Sequence, residues 1–232
     1  MSRRPASRGK CVYCDKSYTR WGMTRHLQNC EERKTAVAQR SSRAVNLYHL
    51  LVADAWGGYY WLHLDVPGQT TLEELDDYLR SIWLECCGHL SAFDIGEVSY
   101  TQLFDDGMAW REERSMDVRL DKVLAAGMEI PYQYDFGTTS ELVIKVAAVT
   151  KGRATDTPIV LMARNDTPDI TCAVCDKPAE YICVECEWEV DHPFYCDNCL
   201  IEHAHGDEMG LSVVNSPRMG MCGYDGPAEP PY

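Results

Sequence analysis

The sequence predicts an α+β fold, with a central domain built on an antiparallel sheet and a small cysteine-clamped module at either end. Three observations predict it. In the middle of the chain, strand-like runs outnumber helical ones and are joined by short connections, the pattern of an antiparallel α+β domain. Hydrophobic residues make up 45% and charged residues 25% of the 232, the balance of a packed core. Eight of the twelve cysteines fall in four C-x-x-C pairs, Cys11/Cys14, Cys172/Cys175, Cys183/Cys186 and Cys196/Cys199, gathered at the two ends.

The first block is residues 1–45. A basic tail, MSRRPASRGK, precedes CVYCDKSYTRWGMTRHLQNC. Cys11-x-x-Cys14 presents two thiolates from one tight turn, and His26 and Cys30, four apart, share one face of a helix. Together they complete a tetrahedron suited to zinc. The spacing predicts a ββα finger with Cys11, Cys14, His26 and Cys30 as ligands, and it resembles the ββα zinc-finger family. Tyr18 and Met23 stand where such fingers keep their two core residues, at an interval one residue short. The polar run EERKTAVAQRSSR that follows reads as a linker or a loose helix.

The second block, residues 46–165, has the elements of an ordinary domain. NLYHLLV and YYWLHLDV flank Gly57-Gly58 and predict a strand pair. Thr71-x-x-Glu74 predicts a capping box opening a helix, and Leu72, Leu75, Leu79, Ile82 and Trp83 then recur at helical spacing toward the core. LSAFDIGEVSY reads as a strand and VRLDKVLAA as a short helix ended by Gly127. MEIPYQYDF and ELVIKVAAV read as strands on either side of a turn at Gly137, and PIVLMA as a last strand.

The third block, residues 166–232, is a cysteine-rich module with a Gly/Pro-rich tail. Its order is Cys172-x-x-Cys175, seven residues, Cys183-x-x-Cys186, nine residues, Cys196-x-x-Cys199, three residues, His203-x-His205. Four ligand pairs in a row with short spacers suggest interleaving, and so small a segment gains its folding energy from metal clamps. The pattern resembles the ZZ and B-box cross-brace families, and the closing CDNCLIEHAH is especially like a ZZ domain. That resemblance implies one zinc on Cys172, Cys175, Cys196 and Cys199 and another on Cys183, Cys186, His203 and His205. Three zinc ions per chain are therefore expected. His192, inside the long spacer, and Cys222, in the tail, are spare ligand candidates.

The hexapeptide Tyr132-Gln133-Tyr134-Asp135-Phe136-Gly137 marks the second block, along with YHLLV, TLEELDDYLRSIW and HLSAFDIG with Tyr100. These residues resemble the plasmid open-reading-frame-three-like family, first named from a Ri plasmid and often described as a mobile-element passenger. The resemblance implies an α+β fold over roughly residues 46–165 and no particular activity. After YDFG the family commonly continues through an acidic residue, a tryptophan and a histidine, whereas here Thr138, Thr139, Ser140, Glu141 and Leu142 follow.

Charge separates the blocks. Residues 1–45 hold eleven Lys+Arg against three Asp+Glu, residues 46–165 nine against nineteen, and residues 166–232 two against fourteen, for a net −14. Nucleic acid, if contacted, is expected only at the basic first block, through Lys16, Arg20 and Arg25 with the tail on phosphates. The acidic third block is expected to bind protein. No secretory h-region and no apolar run near ~18 residues is seen, so a cytoplasmic protein with reduced thiols and no membrane contact is expected.

Cys86-Cys87-Gly88-His89 admits three readings. The thiols follow an apolar helix face and so predict packing, but adjacent thiols and a histidine also suit metal or redox chemistry, or a nucleophile with its base. Asp135 beside a turn glycine reads as a turn cap and, alternatively, as a catalytic carboxylate. No nucleotide loop, H-E-x-x-H helix or G-x-S-x-G elbow occurs. The leading expectation is a zinc-binding interaction protein. The alternatives are an enzyme with a site near Cys86, His89 and Asp135, and a structural or antitoxin-like partner of a mobile-element protein.

Overall fold

The structure, a computed structural model, describes residues 6–40, 42–102, 112–155, 157–187 and 189–227. They divide into two compact units. The first runs to Leu79 and from Leu90 to Asp166, and the second joins Arg80–His89 to the chain from Thr167 onward.

The first unit contains, in chain order, β1 (Arg8–Cys11), β2 (Ser17–Thr19), α1 (Arg20–Asn29), α2 (Glu31–Gln39), β3 (Ala44–Asp54), β4 (Trp61–Pro67), α3 (Leu72–Leu79), β5 (Ser91–Ile95), β6 (Val98–Thr101), β7 (Glu112–Ser115), α4 (Leu120–Val123), β8 (Glu129–Tyr134), β9 (Ser140–Arg153) and β10 (Val160–Asn165). Ten of these strands form one sheet in the order β2-β1-β10-β4-β3-β9-β8-β5-β6-β7. Its neighbours are antiparallel except for β6 and β7, which run parallel. The fold is therefore α+β on a large, mostly antiparallel sheet.

The strand pair expected around Gly57-Gly58 is β3 and β4, at the middle of the sheet. β3 pairs with β4 from Leu47↔Pro67 to Ala53↔Trp61, and with β9 along its whole length. Every residue of β4 is buried, so its polar members need internal partners. The capping box at α3 is formed on both sides. The Thr71 N–H donates to Glu74 at 2.8 Å, and the Glu74 N–H donates to Thr71 Oγ1 at 3.1 Å. Leu72, Leu75 and Leu79 of α3 are buried, as are Ile82 and Trp83 beyond it.

Several elements differ from expectation. LSAFDIGEVSY is a hairpin, β5 and β6, because Gly96 adopts φ +62° and closes the turn with Ile95 opposite Val98. The VRLDKVLAA helix stops at Val123, since the Gly127 N–H is drawn to Val146 O of β9 at 2.8 Å. The run expected as a linker or loose helix is α2, anchored by Arg33 and Arg40. Both guanidiniums reach the buried Asp65 carboxylate of β4 at 3.1 Å. The first block, expected to end as a separate piece near residue 45, is continuous with the sheet, for β1 pairs with β10 from Gly9↔Asn165 to Cys11↔Ala163. A Cβ on Gly9 would stand 1.9 Å from Arg164 O, and only glycine permits that approach.

In the second unit a π-helical turn (Arg80–Leu84) closes with the Glu85 N–H on Arg80 O at 2.9 Å. Then come β11 (Tyr181–Cys183), β12 (Phe194–Tyr195), α5 (Asp197–Ile201), a 3-10 turn (Asp207–Met209) and β13 (Gly210–Ser212), with strand order β12-β11-β13. The Gly/Pro-rich tail is folded as far as it is described. Ser216, Arg218 and Tyr224 are buried, and Ser216 Oγ donates to Trp83 O at 2.6 Å.

Candidate metal centres

Four groups of cysteine and histidine side chains among the described residues could each hold a metal ion, with the donor atoms of each group within 4.8 Å of one another. The first is Cys11, Cys14, His26 and Cys30. β1 and β2 form a hairpin whose turn carries Cys14, and α1 follows at once, so the local fold is ββα. Cys14 Sγ lies 3.3 Å from His26 Nε2. Tyr18 stacks on the His26 ring at 4.4 Å, which fixes its orientation. Met23 is buried as the core residue expected, while Tyr18 is half-buried. Leu27, which the spacing did not single out, completes the core against Leu51, Trp61 and Met162 of the sheet.

The second unit interleaves its pairs. Cys172, Cys175, Cys196 and Cys199 form one group, and Cys183, Cys186, His203 and His205 the other, the same quartets that the cross-brace resemblance implies. Cys175 Sγ is 3.7 Å from both Cys196 and Cys199. In the other group Cys186 Sγ is 3.2 Å from His203 Nε2 and 3.4 Å from His205 Nδ1, and Tyr195 stacks on His203 at 4.4 Å. Of the spare candidates, His192 bonds to Thr171 O at 2.7 Å and joins no group. Cys222 joins the fourth group, with Cys86, Cys87 and His89.

These spacings fit a metal. Zinc–thiolate bonds of ~2.3 Å set tetrahedral S···S edges of ~3.8 Å, and ~2.0 Å to imidazole gives S···N edges of ~3.5 Å. A disulfide would need ~2.05 Å. Thiols packed so closely resist joint ionisation. Burial, above all, pushes Cys11 up to about 12, and Cys199 is pushed up to about 12 first by its hydrogen bond with Cys196 and then by burial. Cys172 runs the other way: against desolvation, backbone donors at Cys196, Val174 and Cys175 draw it down to about 6. A divalent cation among the thiols reverses the repulsion, since coordinated thiols are deprotonated outright. Burial lowers His26, favouring the neutral imidazole that ligates.

The packing expected for Cys86, Cys87 and His89 is not what the structure shows. Cys86 and His89 are half-buried and Cys87 is exposed, because the π turn ends the apolar face at Leu84 and turns the chain outward. Asp135 caps its own turn: at φ +65° its Oδ1 accepts the Gly137 N–H at 3.0 Å. Of the basic residues singled out, Lys16 and Arg25 are exposed. Arg20 is half-buried, its guanidinium lying against Gly58 and 5.0 Å over the Trp21 ring. The first five residues of the basic tail lie outside those described.

A pair that the sequence reading missed sits behind the first group. His49 Nε2 and His63 Nδ1 are 2.8 Å apart in the buried sheet, and His63 Nε2 faces Arg20 O at 3.2 Å. Burial holds His49 down at about 2 and His63 at about 3, so both imidazoles are neutral. The HLL and LHL contexts carry a signal only in retrospect, a histidine inside an apolar strand.

No helix among the described residues is long and apolar enough to cross a membrane. No curated protein matches the chain. Among solved structures it is similar to a protein of unknown function, MM3350, from Methanosarcina mazei Go1, at 18% identity over 51% of this chain and 68% of that one, with a TM-score of 0.44. The sequence pattern of the family described as "Plasmid pRiA4b ORF-3-like protein" matches residues 58–182. That span begins later than the resemblance read at residues 46–165 and runs on through the first C-x-x-C pair of the third block. With more than half of its length so matched, this chain belongs to the plasmid pRiA4b ORF-3-like protein family.

Proposed function

We propose that this chain is a zinc-dependent interaction protein, in which zinc on Cys11, Cys14, His26 and Cys30 and on the two interleaved quartets holds two binding surfaces in shape. The carrying observation is that each quartet offers four protein donors at tetrahedral spacing. Four protein ligands leave no open position for a catalytic water, so the metal's role is to fold and position.

The N-terminal surface suits nucleic acid. Trp21 and Trp56 are 50% and 84% exposed and line one cleft with Arg20, Gly57 and Gly58, while Arg25 and Lys16 project from the same ββα unit. Indole faces beside cations are what a single strand stacks and threads against. Asp54, in the same cleft, is occupied in accepting the Gly57, Gly58 and Tyr60 N–H groups. The second unit suits protein instead. Exposed Val174, Val190 and Ile201 are set among exposed carboxylates such as Asp176, Glu189 and Glu202, a surface for a basic partner.

The test is titration of the full-length, zinc-loaded chain with a labelled single-stranded oligonucleotide across salt concentrations. The expected result is quenched tryptophan fluorescence with affinity that falls as salt rises, and loss of binding in Lys16→Glu/Arg25→Glu at unchanged zinc content. Absence of binding at low salt removes the nucleic-acid surface. A chain purified without chelators that carries no zinc removes the whole reading.

A further inference from the structure

We infer that Cys86, Cys87, His89 and Cys222 form a fourth zinc site, three of whose donors are neighbours in sequence while the fourth, Cys222, is brought to them by the fold. The inference takes the identity of the metal from the function proposed above. Cys87 Sγ lies 2.9 Å from His89 Nε2, and His89 Nε2 lies 3.3 Å from Cys222 Sγ. Cys86 and Cys222 stand 3.6 and 3.8 Å from Cys87, close to the ~3.8 Å edge of a zinc–thiolate tetrahedron and far beyond a disulfide bond.

Two features of the surroundings point to a cation here. The chain bends to deliver the fourth donor. Cys222 itself adopts φ +50°, between Gly220 at +83° and Gly223 at +67°. A non-glycine residue in that region is strained, and such strain persists where the surroundings demand a particular side-chain position. The second feature is charge. Arg218, with 0% exposure, sets its guanidinium 3.4 Å from Cys86 Sγ. Zinc with three thiolates and a neutral imidazole carries one net negative charge, and the guanidinium beside Cys86 has the sign that complements it. On binding, three thiol protons leave to solvent and the four donors close the coordination shell, so the site is structural. It clamps the segment after the π turn to the folded tail, where Ser216 already bonds to Trp83 O.

The site is more exposed than the other three quartets, with Cys87 and Cys222 at the surface. That makes it testable by chemistry as well as by counting. Full-length protein purified without chelators is expected to hold four zinc ions per chain, falling to three in Cys222→Ser and returning to four in Cys222→His. Peptide mapping of the zinc-loaded wild type after iodoacetamide is expected to find Cys87 and Cys222 unalkylated despite their exposure. This second measurement needs no variant to fold. Three zinc ions in both wild type and Cys222→Ser overturn this site while the proposed function stands, and zinc-free protein overturns both. Alkylated Cys87 and Cys222 in the loaded protein, or a disulfide joining them, also overturns it.

Discussion

Replacing Asp65 by alanine tests how α2 is held to the sheet. Its carboxylate is fully buried and accepts from Arg33 Nη2 and Arg40 Nη1 at 3.1 Å each. Removing one member of a buried charge network costs about 3–5 kcal/mol, because the partner charges stay behind unpaired. Here each guanidinium keeps one other oxygen. Arg33 retains Leu27 O at 3.2 Å, and Arg40 retains Arg153 O at 2.9 Å. Those bonds place the expected loss at the low end, about 3 kcal/mol, which is a large share of the ~5–15 kcal/mol that stabilises a typical domain. The assay is urea unfolding of zinc-saturated protein followed by tryptophan fluorescence, since Trp61 is buried in the same unit, with hydrogen exchange of the α2 amides alongside. The triple variant Asp65→Leu/Arg33→Met/Arg40→Met is expected to recover most of the loss, since an apolar replacement leaves no orphaned charge. An Asp65→Ala protein within about 1 kcal/mol of wild type would refute the anchoring role.

Two further outcomes follow from the same region. His49 and His63 are held neutral, so below about pH 6.5 the unfolded chain takes up protons that the native pair refuses; stability is full above that value and falls toward pH 3 by about 1.4 kcal/mol per pH unit for each imidazole. His49→Gln is expected to halve that pair's contribution to the slope of the urea midpoint between pH 7.5 and 5.5, and slopes equal to wild type would count against it. Gly9→Ala puts a methyl 1.9 Å from Arg164 O and 2.8 Å from the Trp61 ring, so it is expected to part β1 from β10 at a cost of about 3 kcal/mol. Hydrogen exchange at the β1 amides should rise, and full protection there would show that the strand tolerates the side chain.

Much of the molecule was legible in the residues. The first quartet rests on a two-residue knuckle and a four-residue helical step, both local geometries, and the capping box at Thr71 and the strands β3, β4, β8, β9 and β10 follow from short-range pattern. What was misread has two causes, one distant and one local. α2 has a polar face like a linker's, and only a carboxylate 32 positions from Arg33, carried on β4, makes it an anchored helix. β5 and β6 read as one strand because Gly96 interrupts the alternation by a single turn.

By itself, the sequence determined the chemistry available at each end: which thiols and imidazoles could share a metal with near neighbours, how charge divides between the blocks, and that the middle would be α+β. The tertiary structure alone decided which distant groups meet. Cys222 lies 133 positions from His89, and the N-terminal hairpin joins β10 more than 150 residues later. The physical reason is that a metal site or a strand pairing depends on donor positions in space. Those positions are set by the path of the backbone through π turns, left-handed residues and sheet register, which residue spacing does not encode.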